Sequence, residues 1–199
     1  MPCWFTVRSK ANKMPILKRE DDLFPDELLD QPEQFVDSDR RWWCIYTRSR
    51  REKELMRQLK AQQTPFYAPV IPKRYRSPNG RLRTSFIPLF PNYVFVLAND
   101  DERSAAMKSN CISSYTPIAD PERLVSELRQ IWNIIQAGVP LTPEARLEPG
   151  APVRVRSGPF AGYEGHVIRR EGRTRLLLAV RFLEQGASME IDEGLLEPL

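Results

Sequence analysis

Eighteen prolines interrupt a chain of 199 residues. Proline ends or kinks helices and is confined to the edges of sheets, so the chain must be built from short elements separated by punctuated loops. Glycine is scarcer, at nine residues, which speaks against a glycine-rich phosphate cradle. The hydrophobic content of 41% is enough to bury a core. Length sets a prior of one or two domains. No apolar run approaches the roughly 20 residues of a membrane-spanning helix. The start MPCWFTVRSKANK lacks the apolar core of a signal peptide. Cys3, Cys44 and Cys111 are odd in number and far apart, which argues for a reducing, cytoplasmic compartment over a disulfide framework. The single histidine, His166, excludes His-rich metal sites and disfavours His-dependent catalysis. Neither a paired-carboxylate motif nor a metal-ligand cluster is present, so neither an enzyme nor a cofactor or metal is expected.

Charge divides the chain. Residues 1–40 carry six basic and nine acidic side chains, net −3. Residues 41–150 carry 17 and 10, net +7, and residues 151–199 carry seven of each. The middle segment therefore suits a polyanionic neighbour, and the balanced C-terminal piece suits a separate task.

Periodicity then places elements. Residues 1–39 hold Pro15, Pro25, Pro32 and the acidic trio Glu20, Asp21, Asp22, with little periodicity, and are expected to be mostly irregular. Trp4, Phe5, Leu23, Phe24 and Phe35 could still dock on the following domain. WWCIYT at 42–47 predicts a buried central strand. Arg50 to Gln62 predicts an amphipathic helix with Leu55 and Leu59 inward, and with Glu52, Lys53, Met56 and Arg57 on outer faces. FYAPVIPKRYRS predicts an edge strand, Pro78-Asn79-Gly80 a turn, and RLRTSFIPLF the returning arm of a basic hairpin. PNYVFVLA predicts a strand, Glu102 to Asn110 a short helix, and Ser113 to Pro117 another strand. A helix from Pro121 has Leu124, Leu128, Ile131 and Ile135 on its core face and ends at Gly138. The order β-α-β-β-α-β-α implies an α+β fold, an antiparallel α/β sandwich, over residues 40–138. Residues 139–150 (VPLTPEARLEPG) form a Pro-rich linker. PVRVRS, EGHVIRRE, RLLLAVRFL and SMEIDEGLLEPL predict five short strands, hence a small β-barrel over 151–199. RLLLAVRFL is rich in helix formers and is also compatible with helix. Recurring glycines weigh against that, so a barrel is expected, with its position relative to the first domain variable.

Two stretches carry family information. One is PLFPNYVFV at 88–96 and the other PVRVRSGPFAGYEGHV at 152–167. Their order, after an aromatic strand and a basic hairpin and across a Pro-rich linker, resembles the NusG/RfaH family of bacterial transcription elongation factors over about residues 40–199. LFPNY in place of FPGY, with WWCIYT and YAPVIP, is closer to the RfaH-like branch. The resemblance implies an N-terminal NusG domain and a C-terminal SH3-like KOW barrel. It also implies a hydrophobic cavity for the β′ clamp helices of RNA polymerase, lined by Tyr46, Val70, Ile71, Phe86, Phe90 and Tyr93. By local pattern alone Phe90, bracketed by Pro88 and Pro91, is either core or partly exposed at a strand entrance, and Tyr93 and Phe95 share one strand face.

Arg48, Arg50 and Arg51 follow the first strand, and Lys73, Arg74, Arg76, Arg81 and Arg83 span the hairpin around Tyr75. Such clusters bind phosphates through counterion release, and the resemblance directs Arg48, Arg50 and Arg51 to the non-template DNA strand. A polar motif that touches the opposite polymerase pincer in relatives matches Ser104, Ala105 and Ala106 poorly. Gly158, Gly162 and Gly165 are expected to turn the backbone with positive φ. Phe160, Ile168 and Phe182 are the candidate surface for a second partner, which in relatives is the ribosomal protein NusE or the termination factor Rho. The expectation is a monomeric, non-membrane factor acting with polymerase and suppressing pausing or termination. An RNA-binding or ribosome-associated KOW module is the alternative.

Overall fold

The run from Arg41 to Thr47 buries five of its seven residues and becomes an interior strand of the N-terminal sheet. The computed structural model describes residues 19–35, 39–147 and 150–199. Expectations for residues 1–18 and 36–38, including Cys3, Trp4, Phe5 and Pro15, lie outside these, as do those for residues 148–149. The elements are β1 (Leu23–Phe24), β2 (Arg41–Thr47), α1 (Glu52–Ala61), β3 (Phe66–Tyr67), β4 (Val70–Arg76), β5 (Leu82–Pro88), β6 (Tyr93–Ala98), α2 (Asp100–Met107), β7 (Ile112–Pro117) and α3 (Pro121–Gln136). Then follow β8 (Thr142–Glu144), β9 (Ala151–Val155), β10 (Glu164–Arg170), β11 (Arg173–Val180), β12 (Gln185–Glu190) and β13 (Leu196–Pro198). Among the described residues the fold is mixed α/β, with three helices and several antiparallel sheets.

The first sheet has the order β1-β3-β6-β2-β7. Successive residues of β6 face opposite sides, as its period of two requires. Val94 and Val96 join Leu55, Met56 and Leu59 of α1 and Ala106 of α2 in one buried cluster. Phe95 and Leu97 join Leu124, Val125, Leu128, Ile131 and Ile134 of α3 in another. Local chemistry sets the helix starts. Asn99 and Glu102 form a reciprocal capping box on α2, and Asp120 caps α3 ahead of Pro121. Helix α1 is shorter than its periodicity suggests. Glu52 and Met56, expected on outer faces, are both buried. Met56 meets the sheet, and the Glu52 carboxylate accepts the Asn92 backbone N–H at 2.8 Å. Four strands stand between α1 and α2, because the edge segment divides into β3 and β4, followed by the returning arm as β5 and PNYVFVLA as β6.

Two stretches expected to be irregular join sheets. Leu23–Phe24 pairs with β3, Phe24 stacks on Phe66 at 6.5 Å, and Leu28 and Leu29 are fully buried. Each such leucine contributes roughly 1.5–3 kcal/mol of burial. Arg129 of α3 donates to the Leu29 carbonyl at 2.6 Å. Thr142–Glu144, in the expected linker, pairs with β12 and completes a six-stranded sheet of order β13-β9-β10-β11-β12-β8. The segment RLLLAVRFL is strand to Val180, followed by one 3₁₀ turn at Arg181–Leu183.

The sequence leaves the second sheet free to take variable positions relative to the first domain. In the structure it lies against α3. Leu176 and Leu178 share the α3 cluster, Asn133 donates to the Tyr163 hydroxyl at 2.8 Å, and Glu127 accepts the Arg181 backbone N–H at 3.0 Å.

Glycine serves two purposes in residues 158–165. Gly158 and Gly162 adopt φ of +92° and +86°, as expected of a turn. Gly165 does not. It lies within β10, where a Cβ would come within 2.5 Å of the Leu177 carbonyl oxygen.

Candidate nucleic-acid and protein interface

The hairpin β4–β5 stands apart as its own two-stranded sheet. Its register pairs Val70 with Pro88, Pro72 with Phe86, Arg74 with Thr84 and Arg76 with Leu82. Between them Ile71 pairs with Ile87, Lys73 with Ser85 and Tyr75 with Arg83. Cross-strand partners share a face and neighbours along a strand do not. The five cations therefore divide. Lys73 and Arg83 flank Tyr75 on one face, Arg74 and Arg76 lie with Leu82 on the other, and Arg81 sits at the turn. All five are exposed, and residues 70–88 contain no Asp or Glu. The turn is closed by Ser77 and Arg81, with the Ser77 N–H donating to the Arg81 carbonyl at 2.9 Å. Gly80 takes φ of +73°. At the hairpin base, Lys53 of α1 donates to the Phe86 carbonyl at 2.6 Å.

The same alternation divides the expected apolar cavity. Ile71 and Phe90 are buried in the α3-side cluster, with Ile87 and Tyr93 packed half-buried against it. Val70 is buried in the α1-side cluster, with Phe86 packed against that one. Consecutive residues cannot line one pocket from a flat strand, so Val70 and Phe86 are separated from the rest. Ile87 takes the place next to Ile71, and counting by two across the turn from Ile71 would have found it. Phe90 is 2% exposed. Of its two alternatives it is core, a member of the α3-side cluster whose carbonyl accepts the Tyr93 N–H at 3.2 Å. What remains at the surface is Tyr46, 39% exposed. It stands opposite Tyr93 in register, with the rings edge to face at 5.2 Å.

Arg48, Arg50 and Arg51 form the turn from β2 into α1 and are exposed. The Arg51 N–H donates to the Arg48 carbonyl at 3.0 Å, the Arg48 N–H to the Cys111 carbonyl at 2.7 Å, and Arg50 takes φ of +61°. Arg51 is paired with Glu54, which leaves Arg48 and Arg50 as the freer cations of the three. On α2, Ser104 bonds back to the Asp100 carbonyl at 2.6 Å and Ala106 is buried.

In the C-terminal sheet the three candidate residues part company. Ile168 is 6% exposed and belongs to the core. Phe160 is half-buried, 5.6 Å from Tyr163, and packs toward the α3 side. Phe182, 41% exposed, is the accessible one.

Burial tunes two further groups. It pushes the Cys44 thiol up to about 12, which removes its nucleophilic form at neutral pH. It pushes Glu127 up to about 7 against the pull of Arg123. Among the described residues no His/Cys/Asp/Glu group could hold a metal ion, and no helix is long and apolar enough to cross a membrane.

The acid-free basic hairpin and the Tyr46–Tyr93 pair, exposed at Tyr46 and half-buried at Tyr93, belong to a domain whose antiparallel sheet carries helices on both faces. The family model described as "Transcription termination factor nusG" matches residues 40–141, and the chain belongs to the NusG family of transcription termination and antitermination factors. It is 27% identical over 173 residues to the transcription termination/antitermination protein NusG of Pseudomonas aeruginosa, covering 77% of this chain and 95% of that one. Among solved structures, the MjSpt4:Spt5 complex in conformation B covers 79% of this chain and 96% of its own at 16% identity, with a TM-score of 0.24.

Proposed function

We propose that the protein is a non-enzymatic elongation factor of the RfaH-like kind that rides on RNA polymerase. The Tyr46–Tyr93 pair, together with Ile71 and Ile87, receives the β′ clamp helices. The hairpin cations with Arg48 and Arg50 hold the non-template DNA strand. Contact with both bridges the DNA channel, holds the clamp closed, and suppresses pausing or termination. The C-terminal sheet acts as an SH3-like KOW barrel that recruits a second partner, NusE or Rho, through the surface around Phe182.

The observation that carries this is the acid-free hairpin together with the Tyr46–Tyr93 pair, exposed at Tyr46, within the segment that defines family membership. Apolar surfaces that grip amphipathic helices are an established recognition mode. The LFPNY sequence at 89–93 supports the RfaH-like branch. The test is capture of an isolated β′ clamp-helix fragment by the full chain. Specific retention that Tyr46→Ala weakens supports the proposal. Failure to retain the fragment, with ribosomal subunits co-purifying instead, overturns it.

A further inference from the structure

We propose that Tyr75 is a base-stacking residue, which makes the hairpin a reader of unpaired DNA in addition to a general phosphate grip. The inference rests on the nucleic-acid role given to the hairpin above. The register sets the argument. Tyr75 lies directly across from Arg83, and Lys73 is two residues back on the same strand, about 6.8 Å away and on the same face. Tyr75 is 45% exposed, so its ring is not spent on the core. On the same face, Ile71 and Ile87 at the hairpin base are tied into the α3-side core. The Tyr75 face is thus anchored at one end and free at the other.

Rigidity supports the role. The β4–β5 ladder and the closed Ser77–Arg81 turn hold the two strands in register, and the Lys53 bond to the Phe86 carbonyl ties them to α1. The ring is therefore presented with little ordering left to be done on binding. A tyrosine face flanked by cations, on a hairpin without a carboxylate, complements a planar base between two phosphates. In a duplex the base faces are already stacked on one another and only edges and backbone are offered, so this arrangement selects single strands. The opposite face, with Arg74, Arg76 and an aliphatic Leu82 that is 66% exposed, has no aromatic ring of comparable exposure. It contributes charge without selecting unpaired bases.

The experiment uses fluorescence anisotropy of the full chain with three labelled DNAs of equal length: a single strand, the same strand with abasic sites, and a duplex. The wild type binds the single strand more tightly than either control. Tyr75→Ala weakens single-strand binding about 5- to 100-fold, leaves abasic binding near the wild-type level, and does not change the salt slope. Tyr75→Trp retains the preference. Lys73→Ala with Arg83→Ala lowers the salt slope on all three DNAs, by about 1.4 on the single strands and about 1.8 on the duplex. Single-strand affinity unchanged in Tyr75→Ala overturns the inference, as does an equal loss on abasic DNA. Tighter capture of an oligoribonucleotide of the same sequence overturns the assignment to DNA, and equal competition by oligo-glutamate overturns stacking altogether. Failure of the wild type to bind any nucleic acid instead removes the underlying role of the hairpin.

Discussion

Tyr46 and Tyr93 face each other across neighbouring strands with their rings 5.2 Å apart, edge to face, while Phe90, three residues before Tyr93, is sealed in the core. The two kinds of aromatic should respond differently to truncation. Tyr46→Ala removes an exposed ring and an aromatic pair worth about 0.5–1.5 kcal/mol, so thermal stability falls modestly and clamp-helix capture drops. Phe90→Ala opens a cavity and costs about 3–5 kcal/mol. Thermal melts of both variants with a pull-down check this. Equal stability losses would contradict the burial difference.

The hairpin predicts a salt signature. Arg74→Glu and Arg81→Glu lie on different parts of the hairpin and are both solvent-exposed. Each should lower the slope of log affinity against log salt by about one, because one phosphate is no longer neutralised. Titrations of single-stranded DNA at several salt concentrations measure it. An unchanged slope in both would make the hairpin a solvated surface only.

Glu127 sits where α3 meets the second sheet. Its carboxylate accepts the Arg181 N–H at 3.0 Å and lies 3.4 Å from Arg123 Nε. Burial raises it to about 7 from an ordinary 4.5. The folded state thus holds its proton more tightly than the unfolded one between these values. Stability linked to this group is fully present below about pH 4.5 and is lost as pH rises through 7. His166 and Glu164 line the same cleft, so the comparison that isolates this carboxyl is with Glu127→Gln. The variant should gain on the wild type in thermal midpoint as pH rises from about 5 to about 7.5. Parallel pH profiles for the two proteins would exclude this carboxyl as the source.

Gly165→Ala should be far more damaging than its location beside a glycine-rich turn suggests. A Cβ there meets the Leu177 carbonyl at 2.5 Å, so β10 and β11 must separate locally. We expect a loss of at least about 1–3 kcal/mol, in the range of overpacked positions, read in denaturant melts. Substitution at Gly158 acts through its positive φ instead, with nothing within 4 Å of the added atom. Its cost should be smaller. A larger loss at Gly158 than at Gly165 would reverse the assignment.

The two cysteines in the described residues should be inert. Cys44 is buried with its thiol pushed up to about 12, and Cys111 is 1% exposed. Neither should react with a thiol reagent until the protein is unfolded. Labelling of either in the native state at a rate matching a free thiol would show that the sheet opens.

Sequence alone determined what depends on neighbours along the chain. The period of two in β6 sorted Val94 and Val96 from Tyr93 and Phe95. The period of 3.6 aligned Leu124, Leu128 and Ile131 on α3. The motifs at 88–96 and 152–167 pointed to the family, and the acid-free run 70–88 marked the hairpin as basic. Tertiary structure decided what depends on which elements meet. Val70 and Ile71 look alike in sequence, yet one faces α1 and the other α3. Glu52 and Met56 read as outer-face residues until β6 and the Asn92 N–H met them. Leu23–Phe24 and Thr142–Glu144 have no periodicity of their own and became strands because β3 and β12 offered unpaired edges. The second sheet rests on α3, where Leu176 and Leu178 belong to one buried cluster with the α3 leucines and Asn133 and Glu127 bond to Tyr163 and Arg181. Burial of this kind joins residues some fifty positions apart, and no local pattern records which distant surface will provide it.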